Sequence, residues 1–169
     1  WQQIFGEQFK QFCESKYWLV YKDNRVVGRV AGIINSKFNK KFNKKEARFG
    51  WIDFEDDNSI SSLLFETVEK WAVEKGMTSI HGPLGFTDMD GEGILIEGYD
   101  EVSTLGSIYN YPYYRTHIEK LDYQKDIDWI EFNVRILRDT PDKIARIAQI
   151  ALQRNKLHVP RSQTGKNDQ

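Results

Sequence analysis

Residues 16–34, KYWLVYKDNRVVGRVAGII, decide the fold of this chain. Two runs rich in β-branched and aromatic residues flank the dipeptide Asp23-Asn24, and this pattern predicts a β-hairpin with a tight turn. The second run contains Gly28 and Gly32, and glycine weakens a strand unless a bulge or a close neighbour uses the missing side chain. We therefore expect a hairpin in which one of these two features explains the glycines.

The segments after this hairpin alternate between strand-like and helix-like patterns. Residues 47–55 and 78–82 are predicted strands, and residues 93–99 (GILIEGY) are a further extended segment. Between the first two, a helix is predicted to end at Gly76, because glycine favours the left-handed conformation that follows a helix. The apolar positions of this helix share one face: Ile60, Leu64, Val68, Trp71 and Ala72.

The last third of the chain predicts a helix, a long strand and a second helix. Residues 111–121 are the first helix, and residues 129–137 (WIEFNVRIL) have the clearest strand pattern, since apolar and polar residues alternate. A final helix begins near Thr140-Pro141, with proline at the first helical position. Its amphipathic stripe consists of Ile144, Ile147, Ala148, Ala151 and Leu152.

The order of these elements predicts a mixed α/β (α+β) layer architecture. We expect one domain over residues 1–157 and a polar tail over residues 158–169. A chain of 169 residues is long enough to bury one sizeable core. The first residue is Trp1 and not Met, which fits an excerpt of a longer chain.

The composition is that of an ordinary globular protein, with 40% hydrophobic and 29% charged residues. The net charge of −1 excludes a general attraction to nucleic acid, so a charged partner must be recognised by a local patch. The single cysteine, Cys13, forms no internal disulfide and fits a reducing compartment. Because the sequence shows neither an apolar run of membrane-spanning length nor a leader pattern, we expect a cytoplasmic protein.

Residues 82–100, GPLGFTDMDGEGILIEGYD, form an acidic, glycine-rich loop. Acids at alternating positions before a glycine resemble the start of an EF-hand loop, but the twelfth position, a chelating Glu in that motif, is Tyr99 here. A phosphate cradle is disfavoured, because no lysine follows the glycines and the carboxylates would repel the anion. No metal site is therefore predicted.

No Lys or Arg occurs between Lys75 and Arg115, although this span is rich in acids and tyrosines. Carboxylates and aromatic faces recognise an amine through ion pairing and cation–π contact, so the span is a candidate amine site. The alternative is a solvated acidic face whose tyrosines pack with their hydroxyls at the surface. The residues concerned are Asp88, Asp90, Glu92, Glu97, Asp100, Glu101, Tyr99, Tyr109, Tyr111, Tyr113 and Tyr114.

The motif FNKK occurs twice in succession, over residues 38–45. We expect a short basic loop or one or two helical turns, with Phe38 and Phe42 on one face. The segment 35–48 has a charge of +5, which fits either anionic lipid at a peripheral membrane surface or an acidic acyl carrier protein, and the alternative is a solvated loop. The candidate contact residues are Lys37, Lys40, Lys41, Lys44 and Lys45.

Three ordered motifs stand out along the chain: GPLGFT (82–87), GILIEGY (93–99) and YNYPYY (109–114). They resemble the GP-[N]-F-[ST] turn, the G-x-L-[IV]-E-G-[FY] strand and the Y-N-x-P-Y-Y helix start of the GNAT-like family that includes the bacterial ceramide synthases. The upstream segments WLVYKDNRVVGRVAGIIN and FGWIDFEDD also resemble this family. The resemblance extends from about Phe12 to Gln153.

The resemblance implies the acyl-CoA N-acyltransferase (GNAT-like) fold, a central mixed twisted sheet flanked by helices. In that fold the third predicted strand and its neighbour splay apart to admit a pantetheine arm. The implied reaction transfers an acyl group from acyl-CoA or an acyl carrier protein to an amine such as a sphingoid-type lipid base. The positions implied for the donor are Ile52, Phe54, Asn58, Ser59 and Asn110. The positions implied for the amine are Asp53, Glu92, Glu97, Tyr99 and Tyr113.

Two motifs that are common in this superfamily are absent. The segment FEDDNSISS (54–62) lacks the glycines and the arginine of the usual pyrophosphate-binding turn, and its acids would instead stabilise a helix start with Asn58 or Ser59 as N-cap. Residues 118–123 lack the tyrosine that usually protonates the departing thiolate. The alternative function is therefore a non-catalytic GNAT-like binding module.

Acyl transfer to an amine requires a base, because the attacking nitrogen must be neutral. Glu55 is the candidate base, since neighbouring aromatic residues raise a carboxylate pKa, and its alternative is an ordinary edge charge. His81 is a second candidate, although a lone histidine is more often a structural group. Tyr114 is the candidate acid, or else a packed aromatic residue at a helix start. Neither a metal triad nor a covalent nucleophile is predicted.

Overall fold

The computed structural model describes residues 9, 11–87, 89–104, 106–132, 134 and 141–156. The chain divides into two compact units, Trp1–Trp129 and Ile130–Gln169. The described elements are β1 (Cys13–Lys22), β2 (Arg25–Asn35), α1 (Ser36–Phe42), β3 (Glu46–Phe54), α2 (Asn58–Glu74), β4 (Ser79–His81), α3 (Tyr113–Lys120) and α4 (Asp142–Arg154). Helix α4 belongs to the second unit and the other elements belong to the first. The predicted single domain over residues 1–157 stays a prediction.

The predicted hairpin is confirmed. Strands β1 and β2 are antiparallel along their whole length, and Lys22 pairs with Arg25 next to the turn. Asp23 and Asn24 have φ angles of 50° and 59°, so both central residues adopt the left-handed conformation of a type I′ turn. Aspartate and asparagine tolerate this conformation better than other non-glycine residues, and the dipeptide therefore sets the register of the hairpin.

The four strands of the described residues form one mixed sheet in the order β1-β2-β3-β4. Strand β3 is antiparallel to β2 and parallel to β4. A parallel neighbour requires a crossover connection, and α2 supplies it. The coarser prediction of a mixed sheet with helices is therefore confirmed.

Helix α2 packs on the sheet through the predicted apolar face, and the two glycines of β2 allow this close approach. A Cβ on Gly28 would lie 3.0 Å from methyl groups of Ile60 and Leu64, and a Cβ on Gly32 would lie 2.7 Å from the Trp71 ring. The close neighbour expected from the sequence is thus this helix. The buried core around it contains Val27, Val30, Phe49, Phe54, Ile60, Leu64, Phe65, Val68, Tyr114 and Ile118.

Helix α2 begins with a side-chain cap at Asp57. The Asp57 carboxylate accepts hydrogen bonds from the Ser59 backbone N–H at 2.9 Å and from the Ser59 hydroxyl at 2.6 Å. The predicted cap at Asn58 or Ser59 is wrong, because Asp57 has the extended backbone of an N-cap and Asn58 is already helical. The hydrogen bonds from Ser59 lower the pKa of Asp57 to about 2.

The Asp57→Ala substitution is expected to lower the melting temperature by several degrees near neutral pH, because the Ser59 donors lose their acceptor. The pKa of Asp57 falls from its ordinary value of 3.8 to about 2 on folding. Its contribution to stability is therefore complete above about pH 4 and is lost as the pH falls through about 2. Thermal unfolding near pH 7 and near pH 2, followed by circular dichroism, measures this difference. A pH-independent difference would contradict the assignment.

Two predicted strands are absent from the described residues. Residues 93–99 form no strand, and an isolated parallel bridge joins Glu92 to Ser107 instead. Residues 129–132 and 134 lie outside any strand, and the remainder of the predicted strand 129–137 lies outside the described residues. Alternation of apolar and polar residues is insufficient for a strand, because the backbone N–H and C=O groups also need a neighbouring strand.

Helix α4 matches the predicted final helix, with Pro141 as N-cap rather than as first helical residue. Its predicted apolar stripe is not buried, since Ile144 and Ile147 are each 57% exposed. Among the helices of the described ranges, none combines the length and the apolar character needed to cross a bilayer.

Candidate functional site

The second half of β3 departs from regular sheet geometry. Two residues of β3, Trp51 and Ile52, face one residue of β2, Val30. This arrangement is a β-bulge, and Trp51 has a φ of 44°, in the left-handed region. Bulges interrupt regular pairing and redirect side chains, and they are frequent beside functional sites.

The edge of β3 on the side of β4 loses its strand partner near this bulge. Strand β4 pairs with the first three residues of β3, and beyond them the Leu84 N–H donates to the Phe49 carbonyl at 2.8 Å. At the end of β3, the Tyr114 hydroxyl accepts from the Phe54 N–H at 3.1 Å and the Tyr113 hydroxyl donates to the Phe54 carbonyl at 2.6 Å. Between these contacts, no described strand lies against this edge of β3, although β2 pairs with the opposite edge. We call this stretch the unpaired edge.

The Tyr114 hydroxyl also donates a hydrogen bond to the Asp53 carboxylate, at 2.5 Å from Oδ1. Tyr114 is 4% exposed, whereas the Asp53 side chain is 62% exposed. Burial, and then the hydrogen bond to Asp53, raise the pKa of Tyr114 well above its ordinary range. The pair therefore joins a neutral buried donor to a solvent-accessible carboxylate at the end of the unpaired edge.

Glu55, which directly follows β3, forms an ion pair with Arg25 of β2. Two guanidinium nitrogens of Arg25 donate to the two Glu55 oxygens, one of them at 3.0 Å. These hydrogen bonds lower the pKa of Glu55, so the predicted rise in its pKa is wrong. The reason is that the carboxylate lies in solvent beside a guanidinium instead of being enclosed by aromatic rings. The role of Glu55 as base stays a prediction, although a lower pKa makes it a weaker base.

A Ser-His-Asp hydrogen-bonded chain, which no sequence motif indicated, lies beside Phe54. His117 Nδ1 is 2.8 Å from Ser61 Oγ, and His117 Nε2 is 2.8 Å from Asp56 Oδ1. Ser61 is 1% exposed, so its hydroxyl does not meet a substrate as a hydrolase serine must. The His117 ring also packs on Phe54, with 5.3 Å between ring centroids. The hydrogen bonds of His117 and its contact with Phe54 thus hold α3, and with it Tyr114, against β3.

His81 does not join this site. It pairs with Arg48 in the β3–β4 ladder, and Glu55 lies seven residues further along the chain. Seven extended residues span about 20 Å, which is too far for one reacting centre. His81 instead lies between two carboxylates, 3.9 Å from Glu46 and 3.2 Å from Asp126. Its catalytic role stays a prediction that the geometry does not favour.

Asn110, predicted to contact the acyl donor, instead forms hydrogen bonds inside the protein through its side-chain amide. It is 5% exposed, its carbonyl accepts from the Leu95 N–H at 2.6 Å, and its NH₂ donates to the carbonyls of Leu95 and Tyr111. The side chain therefore anchors residues 93–99 where strand pairing was expected.

The other residues predicted to contact the acyl donor lie in two different elements. Ile52 and Phe54 lie in β3 along the unpaired edge, whereas Asn58 and Ser59 lie in the first turn of α2. The Ser59 hydroxyl is bound to the Asp57 cap. Contact of these residues with a donor stays a prediction.

The acidic, tyrosine-rich span is brought to the site in part. Tyr113 lies at the unpaired edge, while the Tyr99 hydroxyl donates to the Leu95 carbonyl at 2.8 Å. Glu97 is exposed and Glu92 is half-buried at its bridge to Ser107. Asp88 lies outside the described residues. In the described ranges, no group of three or more His, Cys, Asp or Glu residues could hold a metal ion.

Comparison with known proteins shows two relatives. Over 111 residues, 66% of this chain and 28% of the relative, the chain is 33% identical to Protein YghO of Escherichia coli (strain K12). Over 153 residues, 90% of this chain and 38% of the relative, it is 25% identical to a bacterial ceramide synthase of Caulobacter vibrioides (strain NA1000 / CB15N). No protein-family model matches the chain, and no solved structure matches it significantly. The chain thus spans well under half of each relative and is distantly similar to a ceramide synthase over most of its own length.

Proposed function

We propose that this chain carries the transfer site of a GNAT-like N-acyltransferase, which moves an acyl group from a pantetheine thioester to an amine. The observation that carries the proposal is the unpaired edge of β3, which begins near the Trp51 bulge and ends at the Asp53–Tyr114 pair. The similarity to a bacterial ceramide synthase supports acyl transfer and a sphingoid-type lipid base as the acceptor.

In this proposal, the donor binds along the unpaired edge as an added strand. Pantetheine is an extended chain with amide groups, and a free strand edge presents backbone N–H and C=O groups that pair with amides. Between Phe49, whose carbonyl accepts from Leu84, and Phe54, the described residues leave that edge of β3 without a strand. The thioester would then lie near Asp53 and Tyr114.

The start of α2 bears on the identity of the donor. A helix N-terminus commonly binds a pyrophosphate through its free N–H groups. Here Asp57 occupies that end as the cap, and Asp56 adds a second negative charge beside it. Like charges would repel the pyrophosphate of acyl-CoA, so we place a carrier-protein thioester ahead of acyl-CoA as the donor.

The chemistry assigns Asp53 as the base and Tyr114 as the acid. The ammonium loses one proton through Asp53 to solvent, and the neutral nitrogen attacks the thioester carbon, so that a C–N bond forms and the C–S bond breaks. The second nitrogen proton passes through Asp53 and Tyr114 to the departing sulfur. The hydrogen bond from Tyr114 to Asp53 supplies the path, and Glu55 is left in its ion pair with Arg25.

Purified protein is expected to form an amide from a long-chain acyl carrier protein and a sphingoid base, as measured by mass spectrometry. Acyl-CoA serves as the second donor, and the N-acetylated base is the matched control, because it has no free amine. Amide formation with the free base alone supports the proposal. Absence of product with both donors would reject it.

A non-catalytic binding module is the second candidate. It is favoured by Asp56 and Asp57, because these acids lie at the start of α2, where the pyrophosphate of an acyl donor commonly binds. Thermal unfolding with CoA and acyl-CoA distinguishes the two. A ligand at 100 times its dissociation constant stabilises the folded state by about 2.7 kcal/mol. Stabilisation without any amide product would support the binding module.

A further inference from the structure

Helix α1 and the turn after it present a strongly basic surface. The segment 35–48 has six basic residues and one acid, a charge of +5, so the rest of the chain carries −6 for a total of −1. Five exposed lysines provide most of this charge, and we call them the lysine surface: Lys37, Lys40, Lys41, Lys44 and Lys45.

Three asparagines supply the side-chain and capping contacts that shape this segment. Asn35 accepts the backbone N–H three residues onward at 2.9 Å, and the Asn39 amide donates to the Glu46 carbonyl at 2.9 Å. Asn43 ends α1 in the left-handed conformation. Lys44 pairs with Glu46 at 3.1 Å, and no described carboxylate pairs with the other four lysines. No described carboxylate therefore neutralises these four ammonium groups, and the Lys37 ammonium lies over the Phe12 ring, 3.9 Å from its centroid.

An exposed aromatic ring lies among these lysines. Phe42 is 52% exposed, and the Lys41 ammonium is 5.1 Å from its ring centroid. A bilayer interface suits this combination, because an aromatic ring enters the headgroup region while flexible lysine stems reach lipid phosphates.

An acidic protein partner fits the same surface less well. Protein interfaces are enriched in arginine, whose planar group pairs with carboxylates through two hydrogen bonds, and are depleted in lysine. The one arginine of this segment, Arg48, is buried and donates to the carbonyls of Gly85 and Phe86. The exposed cations are thus all point charges, which suit a fluid anionic surface.

We propose that the lysine surface, together with Phe42, docks this protein on an anionic lipid bilayer. The docking requires neither acyl donor nor amine, so it stands apart from the proposed reaction. Its failure and the failure of acyl transfer are therefore distinguishable.

Vesicle sedimentation tests the docking. Phosphatidylcholine vesicles with about 30 mol% phosphatidylglycerol should retain the protein, and pure phosphatidylcholine vesicles should not. The double variant Lys40→Gln/Lys41→Gln should bind the anionic vesicles about 30-fold more weakly, since two charges leave the surface. Raising the salt concentration from about 0.1 M to about 1 M should release the protein.

Two matched variants control this experiment. Lys70→Gln/Lys125→Gln removes the same charge from lysines that are 74% and 68% exposed elsewhere, one in α2 and one after α3, and it should leave binding unchanged. Lys40→Arg/Lys41→Arg keeps the charge and should retain binding. Circular dichroism establishes that each variant is folded. Equal binding to neutral vesicles, equal loss in both glutamine variants, or capture of an acidic carrier protein but not of anionic vesicles would overturn the proposal.

Discussion

The Gly50→Ala substitution is expected to destabilise the first unit by about 3 kcal/mol. A Cβ at this position would lie 2.2 Å from the Leu84 carbonyl oxygen and 3.0 Å from its carbon. Both are backbone atoms, so no flexible side chain can move to make room. The chain after β4 would have to separate from β3, and the hydrogen bond from Leu84 to Phe49 would be lost.

Urea unfolding followed by circular dichroism measures this effect. Gly106→Ala is the matched control, because nothing lies within 4 Å of the Cβ that it adds. We expect that control to change the free energy of unfolding by less than about 0.5 kcal/mol. Equal stability of the two variants would show that the close approach of Leu84 to Gly50 is wrong.

The Tyr114→Phe substitution is expected to lower kcat/KM for amide formation about 100-fold, because it removes the group assigned to protonate the departing sulfur. It also leaves the buried Phe54 N–H without its acceptor, which costs about 1–3 kcal/mol of stability. The rate must therefore be measured at a temperature where unfolding curves show the variant to be fully folded.

Tyr123→Phe is the control for this prediction. Tyr123 is a partly buried tyrosine of the same core, and its hydroxyl donates to Glu69 of α2 at 2.8 Å rather than to Asp53. This variant should lose a comparable hydrogen bond and keep its rate. A Tyr114→Phe enzyme with full activity would remove Tyr114 from the reaction, and a matching loss in Tyr123→Phe would attribute the effect to stability alone.

The hairpin and α2 were predictable because their signals are local. The Asp23-Asn24 turn is encoded by two adjacent residues whose positive φ angles suit the twist of the flanking strands. The buried face of α2 follows from apolar spacing within one helix. Even the glycines of β2 indicated a close neighbour, although not that the neighbour would be α2.

The predicted strand 129–137 is not formed by its described residues, 129–132 and 134, for the opposite reason. Its alternation is as regular as that of any strand here, yet Ile130, Phe132 and Val134 are 74%, 80% and 75% exposed. A pattern within one segment does not provide the neighbouring backbone that a strand requires. Residues 93–99 form no strand either, because the Asn110 side chain hydrogen-bonds the backbone N–H and C=O of Leu95, which a partner strand would otherwise pair.

The sequence by itself determined the local features: the hairpin, the helical face of α2 and the lysine surface, each encoded within a short segment. Tertiary structure alone decided the site, because its partners come from distant segments. Asp53 and Tyr114 are 61 residues apart, as are Asp56 and His117, and Arg25 meets Glu55 across 30 residues. Such pairs leave no periodic trace in a sequence, since hydrogen bonds depend on where folded elements meet and not on spacing along the chain.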